Sequence, residues 1–187
     1  MAARESLITS AIELTRERGV DGTGVAQLLE HSGVSRRTLY LNFPGGKTEL
    51  MTAAAHAAGS AIGEAISFVT QNGRPADAVR GFVSWWKQSL AAGDLRLGCP
   101  LVATLLGRAN APDAAAAAGA EIESWVDVIR DRLVANGTEP SVAASLATTI
   151  VATVEGAVLL SLAKGSTDPM DHVERHLIEL TAMHVPD

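Results

Sequence analysis

The sequence predicts an all-α protein of about nine helices in two modules. The first is a small N-terminal three-helix module with a helix-turn-helix, and the second is a larger helical remainder. Three observations predict this. Apolar residues recur at helical spacing along most of the 187 residues. Glycine and proline fall at the ends of those periodic runs. No segment shows sustained two-residue alternation rich in β-branched residues, so strands are not expected. Hydrophobic residues make up 47% of the chain, enough for a real core.

The first helix is expected over residues 4–18, where Leu7, Ile8, Ala11, Ile12 and Leu14 form a stripe and Gly19 ends it. Thr23 is the expected N-cap of the second, with Val25, Leu28 and Leu29 facing inward and Gly33 breaking it after Ser32. Ser35 is placed to cap a short third helix from Arg36 to Phe43, with Leu39 and Phe43 toward the core. Pro44, Gly45 and Gly46 stop it. A long Ala-rich helix follows from Thr48 to about Ser67. The remainder reads as helices over Pro75–Ala92, Leu101–Arg108, Pro112–Asn136, Pro140–Ala163 and Pro169 to about His184.

The net charge of −6 at first argues against a nucleic-acid partner. It is not evenly spread. Residues 1–51 hold six basic and six acidic side chains, and residues 52–187 hold nine basic and fifteen acidic, which accounts for the whole −6. Binding DNA needs a local basic face rather than a basic protein. Arg36, Arg37 and Lys47 supply one, close together in sequence.

The second and third helices form a helix-turn-helix, with the third entering the major groove. Ser35 directs free amide groups at the start of that helix toward a phosphate or toward its own hydroxyl. Arg36 and Arg37 stand where base edges are nearest, and an arginine contacts guanine O6 and N7 with both arms. Thr38 suits a thymine methyl or a phosphate. Tyr40 puts a hydroxyl on a stiff ring, and Lys47 reaches toward the backbone. Phosphate contacts position the protein, and base contacts specify the sequence.

Residues 4–50 resemble the DNA-binding domain of TetR-family transcriptional regulators. The shared features are Thr23-x-Val25, the turn Ser32-Gly33-Val34-Ser35, Thr38-Leu39-Tyr40, Phe43 and Lys47-x-x-Leu50. The resemblance covers about a quarter of the chain, and the combination is more specific than any single piece. It implies a homodimeric, usually repressing regulator, released from a palindromic double-stranded DNA operator by a small-molecule effector. Residues 1–47 would be the helix-turn-helix DNA-binding domain and residues 48–187 the ligand-binding and dimerisation domain. Thr23, Ser35, Arg36, Arg37, Thr38, Tyr40, Asn42 and Lys47 are the expected DNA-facing residues. Leu41 and Asn42 stand where an aromatic and a histidine are common, and Gly24 where a hydroxyl residue is common. These departures bear on affinity or on the choice of operator. Phe43 to Lys47 and Gly98-Cys99-Pro100 further resemble the lincomycin-resistance repressor subgroup.

Trp85, Trp86, Trp125 and Glu155 are the candidate ligand-facing residues in the C-terminal module. Each has an alternative as core or interface. Adjacent Trp85 and Trp86 cannot share one helix face. The resemblance places Glu155-Gly156-Ala157 in the dimer bundle, where Gly156 and Ala157 would permit close helix approach. Cys99 is expected to be a buried, inert thiol at a helix start. His172 and His176 share a helix face, but two histidines do not complete a metal site, and neither metal nor cofactor is expected.

The stretch 143–163 is long and apolar enough to span a membrane, yet Glu155 and five hydroxyl residues interrupt it. A helix buried on most sides in a bundle or dimer is expected, with no membrane partner. No secretory signal is visible, and a cytoplasmic protein is expected. Nucleophile, metalloprotease and phosphate-loop motifs are missing, so an enzyme is not expected. The alternative to a DNA-binding regulator is a helical adaptor that binds only protein, which leaves the Arg36, Arg37, Tyr40 and Lys47 cluster without a purpose.

Overall fold

The computed structural model describes residues 3–71 and 74–185. Among these residues there are nine helices and no strand. They are α1 (Ala3–Arg18), α2 (Val25–Ser32), α3 (Arg36–Asn42), α4 (Lys47–Gln71), α5 (Pro75–Ala92), α6 (Pro100–Leu106), α7 (Pro112–Ala135), α8 (Pro140–Lys164) and α9 (Asp168–His184). Prolines open α5, α6 and α8, where a missing N–H costs no intrahelical bond.

The chain packs as two compact units, residues 1–61 with 98–122 and residues 62–97 with 123–187. The division falls within α4 and α7.

In the first unit α1 touches α2, α3 and α6. Its inner face puts Leu7, Ala11 and Leu14 against Leu28 of α2, Leu39 and Phe43 of the α3 region, and Leu50 and Met51 of α4. Arg16 donates from Nε to the carbonyl oxygen of Gly98 at 2.8 Å, tying α1 to the segment before α6. Burial holds the Arg16 pKa below its ordinary value, opposed by charge interactions with Cys99 and Glu13. Cys99 itself is buried at the N-cap of α6.

In the second unit α5 and α8 each touch α9 and one another. Val79, Phe82, Val83, Trp86 and Leu90 of α5 are buried, as are Leu146, Ile150, Val154 and Val158 of α8 and Leu177 of α9. Glu139 caps α8 by accepting from the Ser141 and Val142 amides at 3.0 and 3.1 Å. Its carboxyl pKa lies below the usual value, first because of the Ser141 hydroxyl and then because of those amides. Lys87 of α5 pairs with Asp171 of α9.

One expectation is corrected. The N-cap of α2 is Gly24, not Thr23. The Thr23 hydroxyl donates instead to the Gly19 carbonyl at 2.7 Å and is fully buried, so Gln27 takes over the cap by accepting from Gly24 N–H at 2.8 Å. Helix α8 is long and apolar enough to cross a membrane, and 44% of its most apolar stretch is buried within the chain. Its contacts with α5 and α9 cover one face, and the other is exposed.

Candidate nucleic-acid interface

The turn between α2 and α3 is held from both sides. Gly33 has φ +66°, a left-handed conformation that a β-carbon disfavours. Ser32 donates its hydroxyl to the Leu28 carbonyl at 2.6 Å, and Ser6 of α1 donates to the Ser32 carbonyl at 3.0 Å. The end of α2 is thereby pinned to α1. Ser35 then caps α3, accepting from the Thr38 amide at 3.1 Å, a bond worth about 1 kcal/mol to a helix. The Ser35 and Thr38 hydroxyls also bond to each other at 2.8 Å.

With its start fixed, α3 divides into two faces. Leu39 and the following Phe43 are fully buried. Arg36, Arg37, Tyr40 and Leu41 form the opposite, exposed stripe. Among the described residues neither guanidinium of Arg36 or Arg37 is engaged in an ion pair or side-chain hydrogen bond. Both charges therefore face solvent, available to phosphates or base edges. Leu41 is 70% exposed, an apolar side chain with no packing role inside the chain.

The remaining expected residues are placed less openly. Asn42 turns its amide back to the Thr38 carbonyl at 2.8 Å. Lys47 donates from Nζ to the Val20 carbonyl at 2.9 Å, so it ties the start of α4 to the α1–α2 connection. Thr23 is buried and presents no surface. One contributor went unread in the sequence. The Arg4 guanidinium carbon lies 5.1 Å from the centroid of the Phe43 ring, on a face an arginine can hold by cation–π attraction. The signal was an exposed arginine at the first turn of a helix whose next turn carries Leu7.

The candidate ligand-facing residues do not come together. Trp86 is 1% exposed, and its Nε1 has no hydrogen-bond partner among the described residues. Trp85 meets Trp86 edge-on at 5.2 Å and stacks on Phe82 at 6.4 Å. Trp125 is buried in α7, its indole over Gly63, and Glu155 is half-buried on α8. The second unit does hold a cavity of about 50 Å³, lined by residues that include Phe82, Arg132, Asn136 and Ile150. None of the three tryptophans nor Glu155 lines it. The available signal was Arg132, which falls seven residues after Trp125 and three after Ile129, on the inward face of its helix.

His172 and His176 are exposed on α9, and His176 pairs with Glu179 at 3.0 Å. No cluster of three metal-binding side chains occurs among the described residues.

Residues 7–54 match the family of bacterial regulatory proteins of the tetR type, and residues 75–176 match the LmrA/YxaF-like transcriptional regulator C-terminal domain. An uncharacterized helix-turn-helix-type transcriptional regulator of Mycobacterium tuberculosis is 33% identical over 98% of this chain and 96% of its own. The transcriptional regulator LmrA of Bacillus subtilis is 28% identical over 95% of this chain and 96% of its own. The crystal structure of regulatory protein TetR from Rhodobacter sphaeroides shares the fold with a TM-score of 0.85, at 21% identity over 96% of this chain and 98% of that one. These are regulators rather than enzymes, and the adaptor alternative loses its ground. The chain belongs to the TetR family of DNA-binding transcriptional regulators, with a C-terminal domain of the LmrA/YxaF-like type.

Proposed function

We propose that this regulator is a cytoplasmic repressor that binds a palindromic operator as a homodimer and is released by a small-molecule effector. In this reading residues 1–47 dock on DNA, and residues 48–187 bind the effector and dimerise. The observation that carries it is the exposed stripe of Arg36, Arg37, Tyr40 and Leu41 on a capped helix packed against α1. Ser35 and Thr38 flank that stripe and approach phosphate by their hydroxyls. Lys47 and Asn42 support its frame, and each retains donors for the DNA backbone.

The exposed face of α8 supports the dimeric reading. Ala144, Thr148, Ala152, Gly156, Leu159 and Ala163 recur there at helical spacing with no charged side chain among them. A β-carbon at Gly156 would meet nothing, so a second helix has room to approach, while Ala157 packs inward. Two recognition helices about 34–36 Å apart fit successive major grooves. An effector releases the protein only by binding more tightly to a state with another spacing.

The test is selection of bound duplexes from a random library by the purified protein. An enriched inverted repeat with half-sites about one helical turn apart is expected. Enrichment of a single unrepeated half-site would remove the dimeric reading. No enrichment at low salt would remove sequence-specific readout by α3.

A further inference from the structure

The cavity in the second unit has a chemical character of its own. Ile66, Val79, Phe82, Ile129 and Ile150 make its wall predominantly apolar. One charged side chain lines it among the described residues, Arg132 of α7. The guanidinium donates from Nη2 to the Gln71 carbonyl at 2.9 Å, while its Nε is buried with no partner among the described residues. No carboxylate lines the cavity among those residues. Thr70 and Thr181 already donate their hydroxyl protons within their own helices, to the Ile66 and Leu177 carbonyls at 2.8 and 2.6 Å. Arg132 and Asn136 are therefore the donors left for a guest.

An unmatched guanidinium N–H in an apolar wall is costly unless a guest accepts from it. A cation finds no counter-charge here. A sugar or other many-hydroxyl guest finds too few partners, and a dianion finds one positive charge. We propose that this cavity is the effector site, and that it takes a small monocarboxylate with a hydrocarbon body. Its carboxylate sits on Arg132 and Asn136, and its body lies along Ile66, Val79 and Phe82. Charge-assisted bonds from a guanidinium to a carboxylate are the strongest such pairing available at the site. The volume sets the size class. At about 50 Å³ the cavity is roughly a third of one that encloses benzene, so even butanoate, with as many non-hydrogen atoms as benzene, enters only as the wall moves apart. The inference rests on the ligand-responsive reading above.

The experiment titrates the full-length protein with butanoate, hexanoate and octanoate and with the matching straight-chain alcohols, by calorimetry. The same probes are added to the protein bound to its selected operator. The best acid is expected to bind about 10-fold or more tighter than its alcohol and to release DNA. Arg132→Met is expected to erase that preference while keeping alcohol binding, which also reports that the cavity is folded. Ala78→Phe, which fills the cavity beside an intact Arg132, is expected to lose both probes. Equal binding of acid and alcohol, an acid preference that survives in Arg132→Met, or no binding by any probe overturns the proposal. Alcohols that match the acids and also release DNA would leave the ligand-responsive reading standing without the anion. Acids that bind through Arg132 but leave the operator occupied would keep the ligand class and sink the release reading.

Discussion

The ring of Tyr40 lies against Gly46, where a β-carbon would stand 3.0 Å from Tyr40 Cε1. Gly46 also has φ +67° and closes the turn after α3, its amide donating to the Phe43 carbonyl at 2.8 Å. The turn that ends the recognition helix thus sets the direction of the tyrosine hydroxyl. Gly46→Ala meets both problems, a left-handed backbone that costs about 1 kcal/mol and a displaced ring. The expected result is a melting temperature lower by about 2–4 °C. Operator affinity should fall beyond the loss seen in Tyr40→Phe. Wild-type DNA binding by Gly46→Ala would show that the ring's placement does not matter.

Arg36 and Arg37 bear on affinity without bearing on the fold. Both are exposed and make no side-chain bond among the described residues, so truncation leaves the core untouched. Arg36→Ala and Arg37→Ala should keep the wild-type melting temperature. Each should lose about 1–3 kcal/mol of discrimination where it reads a base, or about one unit of salt slope where it meets a phosphate. Titrations at several salt concentrations separate the two. Lys47→Met should behave differently, lowering the melting temperature because its ammonium holds the Val20 carbonyl. A stable Lys47→Met with a reduced salt slope would instead make Lys47 a phosphate contact.

Leu41 is suited to reading a methyl group. It is 70% exposed, four residues after Arg37 on the same face of α3, and cannot hydrogen-bond. In the major groove the apolar feature of a base pair is the thymine methyl. Replacing operator thymines one at a time by uracil, which lacks that methyl, should weaken the wild type about 3- to 10-fold at one position per half-site. Leu41→Ala should bind both versions alike. A wild type indifferent to every thymine-to-uracil change would exclude this contact.

The helices were legible because their ends are marked by residues with local mechanisms. Gly33, Ser35, Pro75, Pro100 and Pro140 act on their own neighbours, and each bounds a helix in the structure. The exposed face of α3 was legible for the same reason, since α3 is short and its phase is fixed by Leu39 and Phe43. Thr23 was misread because a hydroxyl one residue before a cap looks like the cap. Only the fold shows that it is buried against the Gly19 carbonyl. The cavity was not legible, because it is made by five helices whose separation in sequence says nothing about their facing sides. Large aromatics drew attention to Trp86 and Trp125, and these fill the core instead. Arg132, a single charge in phase with an apolar stripe, was the better clue.

The exposed face of α8 makes the last prediction. Leu159 and Leu160 are 67% and 53% exposed near the end of a helix whose outward stripe has no charge. Leaving that surface in water forfeits roughly 25 cal/mol per Å² of apolar area that a second copy of the helix would bury. The wild type is therefore expected to sediment at twice 19.4 kDa at micromolar concentration. Leu159→Glu with Leu160→Glu places two like charges from each chain into that interface, yet within one chain both sites already face solvent. This variant should sediment as a single chain, stay helical, and lose cooperative binding to an inverted repeat while keeping weak binding to one half-site. A double variant that remains dimeric would move the interface off this end of α8, and a wild type that sediments as a single chain would remove the dimer altogether.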